Sequence, residues 1–131
     1  MADIYTAPEV LDNDLSQPTD SNLSALQYTA VKLDSGELVV AAGAGEQSLG
    51  ILQNAPNGSS KRAIAQVRVL GLSRAKAGGA ITFGAWLKAD GSGEMVVTTT
   101  NLDKCVGMAL TSADDGDIFL MLVVPATLSV A

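Results

Sequence analysis

The block Gly36-Glu37-Leu38-Val39-Val40 recurs as Gly93-Glu94-Met95-Val96-Val97, at an offset of 57. At the same offset Leu49-Gly50-Ile51 is answered by Val106-Gly107-Met108. Upstream, with one residue inserted, Val31-Lys32-Leu33-Asp34 answers Leu87-Lys88-Ala89-Asp90. Downstream, after a length change of three or four residues, a strand through Val67 answers one through Leu120. Each copy, about 28–71 and 83–126, thus reads strand, Asp/Gly turn, strand, loop, x-Gly-x strand, turn, long strand. Two copies are too few for a solenoid, so the pattern predicts two related β units packed as one small barrel or sandwich.

The rest of the body agrees with an all-β fold. Short apolar and β-branched runs alternate with Gly, Asp, Asn and Ser clusters, the rhythm of strands and turns. Strands are predicted at Tyr28–Leu33, Glu37–Ala41, Leu49–Gln53, Ala63–Leu70, Trp86–Lys88, Glu94–Thr99, Cys105–Leu110 and Asp117–Val124. A helix is expected around Ala75–Gly84, kept short by Gly78, Gly79 and Gly84. The apolar share is 47%, but only five residues are aromatic (one Trp, two Tyr, two Phe). Such a core is thin, and partner subunits are one way to supplement it. The run Ile118–Val124 is apolar on both faces, which marks a strand buried within the chain or one that meets a second subunit. The candidate subunit interface is placed on Phe119, Met121 and Val123.

Charge divides the chain. Of the net −6, five negative charges (Asp3, Glu9, Asp12, Asp14, Asp20) fall in residues 1–23, which hold no Lys or Arg. With Pro8, Pro18 and no helical period, this segment is predicted to be an extended acidic arm. It would order on a partner through Ile4, Tyr5, Val10 and Leu11. Residues 24–131 form the β-rich domain. The acidic start is the opposite of a signal peptide, and the longest apolar run is shorter than the ~20 residues of a membrane-spanning helix. The expectation is a soluble protein made in the cytosol, with no membrane partner.

Several chemistries are excluded. The chain has no histidine, hence neither the usual hydrolase triads nor most zinc sites. One cysteine, Cys105, cannot form an intrachain disulfide and reads as a buried hydrophobe. The acidity argues against nucleic acid. Five of the eight bases lie in Lys61–Lys76 (Lys61, Arg62, Arg68, Arg74, Lys76) without interleaved aromatics. Gly43–Gly50 lacks phosphate-loop spacing, and Asp90–Glu94 and Asp114–Asp117 lack calcium-loop spacing, so all three read as connectors or turns. Asp103-Lys104 fits a carrier-domain lysine motif poorly. No catalytic residue, cofactor or metal is expected.

Taken together, Tyr28–Leu33, Leu49–Pro56, Val67–Gly71, Ala77–Ile81, Leu87–Gly91, Val106–Leu110 and Gly116–Ile118 resemble the small capsid decoration (cement) proteins of tailed bacteriophages. The resemblance covers residues 25–124. It implies a β-tulip-like body, usually trimeric, on the outer surface of the virion, where it clamps neighbouring capsomers and binds the major capsid protein. Arms differ greatly across that family, so no arm residue follows from the resemblance; from this sequence itself, Ile4, Tyr5, Pro8, Val10 and Leu11 are the residues expected to face the capsid. A virion-surface module that contacts host glycans, and more remotely a lipoyl- or biotinyl-like carrier, are the alternatives.

Overall fold

The computed structural model describes residues 13–130. It contains ten strands: β1 (Asp14–Thr19), β2 (Ala30–Asp34), β3 (Leu38–Ala41), β4 (Gly50–Leu52), β5 (Ala63–Arg68), β6 (Gly71–Lys76), β7 (Trp86–Ala89), β8 (Met95–Val97), β9 (Lys104–Ala109) and β10 (Ile118–Thr127). They form two five-stranded antiparallel sheets, in the orders β1-β5-β4-β2-β3 and β6-β10-β9-β7-β8. The second order is the first with every strand advanced by five, so the duplication governs the whole topology. The expected all-β class and the two related units are both present.

Three features differ from the sequence reading. Residues 14–23, assigned there to the arm, are built into the first unit: β1 pairs with β5 from Asp14↔Arg68 to Thr19↔Ala63, and Leu23 is 2% exposed. Pro18 is tolerated because β1 is an edge strand and needs no second hydrogen-bonded neighbour. No helix forms at 75–84; Ala75 and Lys76 end β6, and turns follow. The repeat also slips by one residue. Asp34 pairs with Leu38, while the Asp90 N–H bonds Glu94 O at 2.8 Å, so Leu38 matches Glu94 in space and Val39 matches Met95. Both Val39 and Met95 are fully buried. The extra residue lies after β8 and not in the hairpin turn, since Val31↔Gly50 and Leu87↔Gly107 pair alike.

Backbone conformation supports this spatial alignment. Four non-glycine residues among those described are left-handed: Asn13 (φ 55°), Tyr28 (69°), Glu37 (63°) and Leu102 (71°). In the other unit their respective counterparts are Gly71 (φ 101°), Gly84 (82°), Gly93 (78°) and Gly45 (68°). The fold demands this backbone at four repeated places, and in each pair one unit meets the demand with glycine. A side chain there costs about 1–2 kcal/mol, offset in part by the entropy that glycine loses, about 0.5–1 kcal/mol. Leu102 is 71% exposed, so little packing is at stake. Leu102→Gly is therefore expected to raise stability by about 0.5 kcal/mol. A urea titration showing a loss instead would mean that contacts of the Leu102 side chain outweigh the strain of its left-handed backbone.

Each sheet curls until its edges meet. In the first unit the Thr19 hydroxyl donates to Val39 O at 2.7 Å, and the Gln17 amide donates to Glu37 O at 3.3 Å, joining β1 to β3. In the second, the Gly78 N–H donates to Met95 O at 2.8 Å. Leu23 and Ile81 plug the two interiors at matching positions; their N–H groups bond Pro56 O (2.9 Å) and Ala113 O (2.8 Å). The first core holds Leu23, Val31, Val39, Leu52, Ala65 and Val67. The second holds Leu87, Met95, Phe119, Met121 and Val123, and also takes in Ala30 and Ile51 of the first unit. Alanine is prominent there, as the composition suggested.

Phe119, Met121 and Val123 are thus spent inside the chain, at 5%, 0% and 0% exposure. The placement of the subunit interface on this face of β10 is corrected: these side chains alternate inward because β10 is central in its sheet, flanked by β6 and β9.

Candidate interaction surfaces

Cross-strand partners share a face of a sheet, so the register defines what each unit shows outward. In the first unit one row runs Asp14, Arg68, Ile51, Ala30. Its counterpart in the second unit runs Leu72, Leu122, Met108, Trp86. The first row is covered. Ala30 and Ile51 are wholly buried against the second unit, and Arg68 grips Asp14 through Nε–Oδ1 (2.6 Å) and Nη2–Oδ2 (3.1 Å) while its Nη1 donates to Leu72 O (2.7 Å). The second row is open: Leu72 is 56% exposed, Leu122, Met108 and Trp86 are half-buried, and Ile118, Leu120 and Leu110 extend it with exposed side chains. A contiguous apolar sheet face of this kind marks an interaction site. The doubly apolar Ile118–Val124 run thus divides into an inward set, Phe119, Met121 and Val123, in the core and an outward set, Ile118, Leu120 and Leu122, on this face.

Beside Trp86 the face deepens into a recess of about 310 Å³ that includes Val97, Thr98 and Val130. A polar cleft of about 330 Å³ lies at Gln47, Ser48, Cys105 and Pro125, and a third recess of about 320 Å³ lies at Ile81 and Asp114. None brings together a nucleophile, a base and an oxyanion donor set. Cys105 is buried, and its thiol is pushed up by burial and then by the nearby Asp103 carboxylate, which disfavours the reactive thiolate. No group of three or more metal-ligating side chains occurs among the described residues. The two Asp-rich segments are turns that satisfy themselves: Asp90 Oδ1 accepts the Ser92 and Glu94 N–H groups, and Asp117 Oδ2 accepts that of Asp114.

The five clustered bases do not form one patch. Arg68 is engaged with Asp14, and Lys76 pairs with Glu94 at 3.1 Å, leaving Lys61, Arg62 and Arg74 as exposed cations of that group. Elsewhere Lys88 Nζ donates to Asp103 Oδ2 at 2.9 Å, and the same carboxylate oxygen accepts the Thr98 hydroxyl. The Thr98 bond and then Lys88 hold the Asp103 carboxyl below its usual range. Lys32, and then the Gly43 N–H, do the same for Glu46. For depressed carboxylates the stabilising effect is present above the unfolded pKa, about 4, and is lost as pH falls through the lower folded values. Melting temperature should accordingly be flat toward neutrality and fall below about pH 4, with a smaller acid-side fall in Asp103→Asn. An unchanged acid limb in that variant would remove Asp103 from the explanation.

Ile4, Tyr5, Pro8, Val10 and Leu11 lie outside the described residues. The first described residue, Asn13, accepts the Val69 N–H at 3.0 Å and sits beside Gly71 at the start of β6.

Comparison with known proteins completes the picture. The family model described as phage cement protein matches residues 17–124. Among solved structures, the head fiber gp8.5 N base of bacteriophage phi29 is similar at a TM-score of 0.72 and 16% identity, covering 88% of this chain and 98% of that one. At that identity the likeness concerns the fold. No curated protein sequence matches. With all but the first strand residues and the last few of the two β units inside the matched range, this chain belongs to the phage cement protein family, structural proteins of the phage virion.

Proposed function

We propose that the protein binds the outer surface of a phage capsid as an oligomer, a trimer by preference, and stabilises the head by clamping neighbouring capsomers. Its partners on this reading are the major capsid protein and further copies of itself, and it is made in the host cytoplasm before it joins the head. Family membership supports the capsid role, and the uncovered face Leu72–Leu122–Met108–Trp86 is the observation that carries self-association. Residues 1–12, with Ile4, Tyr5, Pro8, Val10 and Leu11, form the capsid-gripping arm. Three arms on one trimer would reinforce each other through effective concentration, and an extended segment can add to an exposed strand edge.

The direct test is to add purified protein to heads that lack it. Saturable binding that raises the melting temperature of the heads is expected. Binding without any gain in head stability would overturn the clamping role and favour a passive surface module. If the acids Asp3, Glu9 and Asp12 meet basic capsid residues, occupancy should fall at high salt.

A further inference from the structure

The joint between the two units is directional. The β7–β8 turn (Asp90–Glu94) of the second unit rests on the outer row of the first. Gly93 O accepts the Ala30 N–H at 2.8 Å, and a Cβ added to Gly93 would stand 2.9 Å from Ala30 O and 3.5 Å from Ala42 O. Two more backbone bonds fasten the joint, Lys76 N–H to Tyr28 O (2.9 Å) and Gly45 N–H to Ala89 O (3.2 Å). The spatial repeat carries each element forward. Tyr28 becomes Gly84, Ala30 becomes Trp86, Ala42 becomes Thr98, and Gly93 becomes Glu37. In the second unit Gly84, Trp86 and Thr98, with Ala85, Val97 and Val130, line the mostly apolar recess of about 310 Å³. Among the described residues no turn is set into it. The counterpart of the inserted turn is the β2–β3 turn, where Ser35, Gly36 and Glu37 are exposed and Glu37 shares the left-handed backbone of Gly93.

We infer that a second copy of this chain docks head to tail, its β2–β3 turn entering the Trp86 recess of its neighbour. The contact repeats between chains the joint that the two units make within one chain. The larger side chains at Trp86 and Glu37 make it looser than the Ala30–Gly93 contact, and the apolar row Leu72, Leu122, Met108 borders it. Such a contact joins two different patches, so it closes into a ring when the rotation permits. The inference rests on the self-association proposed above and names its surface.

Trp86 is the one tryptophan of the chain, so its emission reads the recess directly. In full-length protein, dilution that dissociates the oligomer by light scattering should move the emission to longer wavelength in step. Val97→Arg in the recess and Ser35→Arg on the turn alter exposed positions, and each variant should be monomeric alone while keeping a cooperative unfolding transition, its midpoint lowered only by the loss of association. Mixed together they should form a one-to-one dimer and nothing larger, because each keeps one intact patch. An oligomer whose dissociation leaves Trp86 emission unmoved, or that survives both substitutions, overturns this surface and leaves self-association standing. Variants that stay monomeric when mixed overturn the head-to-tail geometry. Wild-type protein that is monomeric at every concentration and on heads overturns self-association and this inference with it.

Discussion

Alanine at Gly107 should unfold the protein or lower its melting temperature by about 10 °C or more. A Cβ there would stand 1.9 Å from Leu122 O and 2.8 Å from the Met121 side chain. The obstructing atom is backbone in a central strand pair, so relief requires β9 and β10 to separate. Overpacking of a well-filled core costs about 1–3 kcal/mol, and more where no side chain can yield. Gly50, its counterpart, would meet Arg68 O at 2.1 Å, and Gly50→Ala should be of the same order. Gly91→Ala is the control: nothing lies within 4 Å of its Cβ, and the change should stay within about 0.5 kcal/mol. Calorimetry that finds all three variants alike would mean that the sheets are more deformable than this packing allows.

Truncation at two points should separate the arm from the body. Removing residues 1–12 leaves β1, the Asp14–Arg68 pair and the Leu23 plug in place, so the melting curve should be retained while binding to heads is lost. Removing residues 1–23 takes all three. Loss of a buried leucine side chain alone costs about 2–5 kcal/mol, against a total stability of about 5–15 kcal/mol for a typical domain. The bare edge of β5 adds to that loss, and the longer truncation should show no cooperative unfolding transition. Full head occupancy by the shorter truncation would remove the arm from capsid binding. A cooperative melt of the longer one would contradict the role given to β1.

Much of the fold was legible because the repeat carries its own punctuation. Gly50 and Gly107 mark the same crowded strand crossing, and the strands around them were placed from that coincidence. β1 and β6 escaped because their sequences, DLSQPT and GLSRAK, hide alternation: the inward positions are mostly small or polar, such as Thr19, Ser73 and Ala75. Their partners lie about fifty residues away in sequence, Asp14 on Arg68 and Lys76 on Ile118, so no local pattern announces them. The Gly-Glu-x-Val-Val blocks misled by one residue, since turn chemistry and not letter identity sets the hairpin register. The interaction face was half legible. Ile118–Val124 showed that both sides of β10 are apolar, but which alternate set faces outward depends on the pairing with β6 and β9.

The unequal closure of the two units has a mechanical consequence. The first unit is latched by the Thr19 and Gln17 side chains and the second by a backbone bond from Gly78. A pull delivered through residues 1–12 enters the molecule at β1, a strand at a sheet edge that is latched to β3 by side chains alone. β1 therefore acts as a fuse: it peels before the second unit feels the load. Amides of Leu15–Gln17 should exchange with deuterium sooner than those of β9 and β10, and a force trace should show a small early yield before the main rupture.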